Sequence, residues 1–156
     1  MSLAGDLMKL GVNPDLMIRS VYKRFTAAQI KALRATPQTL VAAPGTGRYI
    51  HLVDGAMKLK AGTNVLTESA DNLAVKFDSG SGVVIATIET TSFITAAADT
   101  TTNIVPNGDI IVAASACLNK KLVLHNTGDG EIAGNAAADA LLFVWLNYRV
   151  INMLVS

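Results

Sequence analysis

From about residue 36 onward the chain alternates short apolar runs with clusters of Gly, Pro, Asn and Asp, and no helical period is sustained. This pattern predicts short strands joined by turns, the signature of a sandwich or barrel. Residues 39–43 stop at Pro44-Gly45-Thr46-Gly47, residues 49–59 at Lys60-Ala61-Gly62, and residues 73–77 at Asp78-Ser79-Gly80-Ser81-Gly82. Within 73–77, Leu73, Val75 and Phe77 alternate with Ala74 and Lys76. Residues 83–89, 92–95, 109–114 and 121–125 continue the series, and residues 141–151 close it as the longest predicted strand. There Leu142, Val144, Leu146, Tyr148 and Val150 face one way, while Leu141, Phe143 and Trp145 give way to Asn147 and Arg149 on the other. One face is therefore expected to be core throughout and the second to turn polar partway along. Residues 96–103 and 126–139 read as surface loops, and the absence of a fixed-period repeat argues against solenoids and propellers.

The first 25 residues are patterned differently. Leu3, Leu7 and Leu10 recur at helical spacing before Gly11, and Asn13-Pro14-Asp15 is an N-cap followed by Pro at the first helical position. Over residues 16–25, Met17, Val21 and Arg24 share one helical stripe and Ile18, Tyr22 and Phe25 the neighbouring one. The expectation is a basic, partly helical arm over 1–25, packed on its own domain or reaching a partner, ahead of a β-domain over 26–156.

Charge sharpens this division. Residues 1–36 hold six basic side chains against Asp6 and Asp15, a net of +4, and the remainder nets −3. An arm of this kind points to a partner with an acidic face, and Arg19, Tyr22, Lys23, Arg24 and Phe25 are its candidate partner-binding residues. Nucleic acid is the weaker fit, because aromatics beyond Tyr22 and Phe25 are missing from the arm and the acidic remainder would repel a phosphate backbone. Hydrophobic residues make up 51% of the chain and charged ones only 16%. A monomer with so little charge cannot cover its outside with polar groups, so part of its surface is expected to be buried against partners. The nearly charge-free segment 94–104, with Ile94, Ala97 and Ile104, is the candidate contact between copies of the chain.

Tests for chemistry fail on ligand positions. Ala42-Ala43-Pro44-Gly45-Thr46-Gly47-Arg48-Tyr49 has the glycines of a phosphate-binding loop, but Ala42 stands where Gly is needed, Arg48 where Lys is needed and Tyr49 where a magnesium hydroxyl is needed. Residues 78–89 carry acids at the first and twelfth positions of a calcium loop, with Gly80 and Gly82 at the third and fifth, where side-chain oxygens belong. The acidic stretch 129–139 reads as a solvated loop. His51 and His125 each lie in an alternating apolar strand without the neighbours of a triad or zinc site. Cys117 cannot pair within the chain and reads as a small core residue. No catalytic, cofactor or metal residue is assigned, and the chain is expected not to be an enzyme. The start lacks the basic flank and apolar core of a signal peptide, and residues 141–155 are too short and too interrupted to span a bilayer, so a soluble protein made in a cytoplasm is expected.

The run Ile30-Lys31-Ala32-Leu33-Arg34-Ala35-Thr36-Pro37-Gln38-Thr39-Leu40-Val41-Ala42-Ala43-Pro44-Gly45-Thr46-Gly47, a strand with Lys58-Leu59 near its end, and a closing Tyr148-Arg149-Val150-Ile151 resemble the head decoration (cement) proteins of tailed bacteriophages. The resemblance covers residues 26–152. It implies a jelly-roll-like domain that assembles on the outside of a finished capsid, often as a homotrimer, and ties neighbouring major capsid protein subunits together. It brings no catalytic residue. A tail, baseplate or fibre subunit shares the same physics, and a small glycan-binding β-sandwich is the rival from another class.

Overall fold

The computed structural model describes residues 5, 10–11, 13–68 and 72–154. Among the described residues ten strands carry the fold: β1 Arg19–Thr26, β2 Gln38–Val41, β3 Arg48–Lys60, β4 Leu66–Thr67, β5 Asn72–Phe77, β6 Val84–Glu89, β7 Thr100–Ile104, β8 Leu122–Asn126, β9 Ala133–Gly134 and β10 Leu141–Asn152. Between them, among the described residues, lie the short helices α1 Ala27–Lys31 and α2 Ala114–Cys117. Eight strands form two four-stranded antiparallel sheets, in the orders β1-β10-β3-β7 and β2-β8-β5-β6, and β4 and β9 make a separate two-stranded ribbon. Leaving that ribbon aside, the first strand pairs with the last, the second with the second-last, the third with the third-last, and the middle two with each other. The chain is thus one long hairpin rolled up so that its two arms contribute alternately to two sheets.

The sheets close over one core. Phe25, Met57, Leu59, Leu142, Val144 and Leu146 of the first sheet join Leu40, Leu73, Val75, Phe77, Leu122, Leu124 and Ile88 of the second in a single buried cluster. Period-two alternation places these residues inward, and burial of that many aliphatic side chains, each contributing about 1.5–3 kcal/mol, is the main stabilising contribution. The inward face of β10 runs as the pattern dictates, buried at Leu142, Val144, Leu146 and Val150, with a bulge opposite Asn147 and Tyr148 that leaves Val53 of β3 as the extra residue. Pro44-Gly45-Thr46-Gly47 carries the chain from the second sheet to the first; Gly45 and Gly47 have φ of 101° and 69°, a region that Gly enters without a Cβ penalty.

Several expectations are corrected. The helix expected over residues 14–25 is a 3-10 turn at Pro14–Leu16, capped by Asn13, and the extended strand β1 comes after it. The cap forms as its residues dictate, but strand pairing sets the backbone beyond it. Val21 and Phe25 alternate with Tyr22 and Arg24 as well as they stripe a helix, and β10 offers Leu146, Val144 and Leu142 as partners for Val21, Lys23 and Phe25. The boundary between residues 25 and 26 therefore falls inside a strand of the sandwich. Leu3 and Leu7, on which the earlier helix rests, lie outside the described residues. Helix α1, at the end of β1, begins with a capping box of Thr26 and Gln29. Residues 92–95 form turns and 109–114 a loop entering α2, whereas β7 lies within the stretch 96–103 and its margin, where the composition predicts a loop.

Candidate functional site

Because β10 is flanked by β1 and β3, the residues that alternate outward on these three strands form one continuous surface. Tyr22 lies directly across from Trp145, and Arg24 from Phe143. On the other side Trp145 faces Ala56, Phe143 faces Lys58 and Leu141 faces Lys60. The three rings cluster: Tyr22 and Trp145 have centroids 5.3 Å apart, and Phe143 lies 6.2 Å from each. Such pairs stabilise by about 0.5–1.5 kcal/mol beyond the area they bury. Yet Tyr22 is 52% and Trp145 43% exposed, so a large part of both rings remains turned to solvent.

The face is graded along the strands. At one end Arg24, Lys58 and Lys60 surround the rings, with Lys58 bridged to Asp99 at 3.0 Å. The Lys58 ammonium, donating to Asp99, holds that carboxyl below its usual range, helped by the Ala61 amide. At the other end a polar relay replaces the aromatics: Ser20 Oγ donates to Asn147 Oδ1 at 2.7 Å, and Asn147 Nδ2 donates to Asp54 Oδ1 at 2.6 Å. Exposed aromatic and Arg side chains beside a polar rim are the composition of protein-binding hot spots.

The structure divides the partner-binding residues expected from sequence. Tyr22 and Arg24 lie on this face. Arg19, Lys23 and Phe25 alternate to the opposite side of β1, and Phe25, 4% exposed, is core. Phe143 and Trp145 complete the patch; the polar turn of their stripe is legible in the sequence, but not that Tyr22 is laid beside them. Among the oligomer-contact candidates, Ala97 is exposed, whereas Ile94 and Ile104 are fully buried in the chain's own core and are unavailable to a second copy. The sequence Thr100–Ile104 of β7, an edge of the first sheet, carries no charged side chain.

The other chemical candidates fall apart in space. Among the described residues no three His, Cys, Asp or Glu side chains come together as a metal site. Cys117 is buried, its thiol donating to Ala114 O at 3.6 Å. His51 is exposed on β3 opposite Arg149, and His125 lies on β8 against the loop at Gly80. Among the described residues no helix is long and apolar enough to cross a membrane.

No family model and no curated protein matches the chain. Among solved structures, a Nora virus structure aligns with 88% of this chain and 57% of its own at 12% identity and a TM-score of 0.29. A structure of infectious bursal disease virus, Gx strain, aligns with 86% of this chain and 40% of its own at 9% identity and a TM-score of 0.24. The chain spans less than two thirds of either, and at TM-scores this low the likeness to these two virus structures carries no weight for fold or function.

Proposed function

We propose that this chain is a structural virion protein of jelly-roll type that binds the outer surface of a phage capsid and ties neighbouring capsid subunits together. The rolled-hairpin strand order supports the jelly-roll reading, since an eight-stranded roll of two four-stranded sheets is the plan on which viral capsid and lectin domains are built. Fold does not decide function, so the weight rests on one observation. A sheet face that could have been covered with Lys and Glu instead exposes Tyr22 and Trp145 beside Arg24. In a chain with so few charges this is where a partner protein would recover the desolvation of the rings. Fixed to a shell, each copy is reinforced by its neighbours through multivalency, and a homotrimer closing at the edge of β7 and Ala97 would add to that avidity. The role is binding, not catalysis.

The test is attachment. The chain should co-purify with virions in stoichiometric ratio to the major capsid protein, and the double variant Tyr22→Ala, Trp145→Ala should bind shells at least about tenfold more weakly, hot-spot truncations costing about 2 kcal/mol or more. Absence from virions, or full attachment by the double variant, would overturn the reading. The aromatic platform beside Asn147 and Asp54 also favours a second reading, glycan binding; Trp145-dependent signals on a glycan array, without capsid attachment, would select it.

A further inference from the structure

We propose that a cleft on the outer face of the second sheet is an oxyanion site, built to take a carboxylate or phosphate group. This inference is independent of the capsid reading. The cleft, of about 680 Å³, lies over β5 and β8 between the loop at residues 78–81 and the segment 34–37, and Arg34, Lys76, Lys121 and His125 line it.

Lys76 is the reason. Alternation along β5 directs Leu73, Val75 and Phe77 into the core and Lys76 outward, where a lysine should reach water. Instead Lys76 is 8% exposed, walled by the strand neighbours Val123 and Val84 and roofed by the hairpin loop. Among the described residues its ammonium makes one hydrogen bond, to Gly80 O at 2.6 Å, a neutral acceptor for a group with three donors. A buried ammonium normally has a carboxylate partner, because desolvation must be offset. Neither Asp78 nor Glu131, which acts on His125, accepts a hydrogen bond from Lys76. Asp78, which lines the cleft, accepts from Lys120 Nζ at 3.0 Å, and Glu131 accepts from the backbone N–H groups of Arg34 and Ala35 at 3.1 and 2.8 Å.

A second polar group in the same wall is incomplete. His125 Nδ1 is buried without a hydrogen-bond partner. The Gly80 backbone lies so close to this imidazole that a Cβ at residue 80 would stand 2.7 Å from Nε2, so the loop that caps Lys76 also fixes His125. Burial pulls the proton affinity of both groups down; for His125 the Lys76 and Arg34 charges add to it, while the Arg34 backbone and the Glu131 carboxylate oppose it. An oxyanion seated among Lys76, Lys121 and Arg34 would satisfy the free donors with charge-assisted hydrogen bonds and relieve the repulsion between Lys76 and a charged His125. The hydroxyls of Ser79 and Ser81, 3.0 Å apart at the rim, are further donors within the lining.

The anion has two possible sources, a free ion or an acidic side chain of a neighbouring protein, and the experiment separates them. The full chain is titrated at constant ionic strength with inorganic phosphate and, in a parallel arm, with a capped Asp/Glu peptide, following the amide of Gly80 and the imidazole of His125 by NMR. Saturable shifts at both positions and a rise of the His125 pKa are expected in at least one arm, and which arm responds names the source. Lys76→Met should weaken binding about tenfold or more, as loss of a charged hydrogen-bond donor does. The surface variant Lys121→Ala, which leaves the core untouched, should also weaken it, and Lys60→Ala on the opposite sheet should not. Absence of saturable shifts in both arms, wild-type affinity in Lys121→Ala, or equal weakening by Lys60→Ala would each overturn the site.

Discussion

Removing β1 should unfold this protein, although its sequence has the look of a detachable arm. Phe25 is 4% exposed and lies opposite Leu142 in the core, and Val21, opposite Leu146, packs partly buried against the same core. Truncating a buried Phe to Ala costs about 3–5 kcal/mol, set against a total of about 5–15 kcal/mol for an ordinary domain. Phe25→Ala alone should therefore consume a large fraction of the stability. Removing residues 1–26 also strips Arg19–Thr26 from its full register with β10 and turns that strand into an exposed edge rich in Leu, Val and Trp. Urea denaturation followed by Trp145 fluorescence should place Phe25→Ala several kcal/mol below the parent, with the 1–26 deletion unfolded or aggregated. A deletion of residues 1–26 that unfolds at the parental midpoint with the parental slope would show that β1 is an appendage and that the register with β10 contributes nothing.

Three further outcomes rest on particular contacts. Gly82→Ala would drive a Cβ onto the Phe77 carbonyl oxygen at the base of the β5–β6 hairpin, and should lower stability by about 1–3 kcal/mol in a denaturant titration. Asp139 accepts from Asn135 Nδ2, Thr63 N and Thr63 Oγ1 at 2.9, 2.9 and 2.7 Å, which holds its carboxyl well below the usual carboxylate range. Because the folded state binds that proton less readily than the unfolded one, the stabilisation is present above about pH 4 and is lost as pH falls through the depressed value, so the gap in urea midpoint between parent and Asp139→Asn should close on acidification; a gap independent of pH would refute it. Light scattering across a concentration series should detect a homotrimer that Ala97→Glu dissociates, and a monomer at every concentration would remove the β7 edge as a contact.

Local pattern alone specifies the strands whose alternation and turns agree. Residues 49–59, 73–77, 83–89, 121–125 and 141–151 each lie within one residue of β3, β5, β6, β8 and β10, because apolar alternation ended by Gly, Pro or Asp leaves no competing period. Where local signals are double-valued, pairing between distant segments settles the outcome. Residues 19–26 satisfy both a helical stripe and an alternation, and the exposed flank of β10 selects the strand; residues 100–104, mostly Thr, become β7 because β3 needs a second neighbour. The candidate sites belong to this second class. Tyr22 and Trp145 stand 123 positions apart in the chain and meet only through the register of β1 with β10. Lys76 reads as an ordinary outward lysine of an alternating strand, and it becomes a buried cation only because the loops at residues 34–37 and 78–81 fold over the outer face of its sheet. Alternation specifies which side of a sheet a residue takes; the cover over that side comes from parts of the chain that local pattern cannot see.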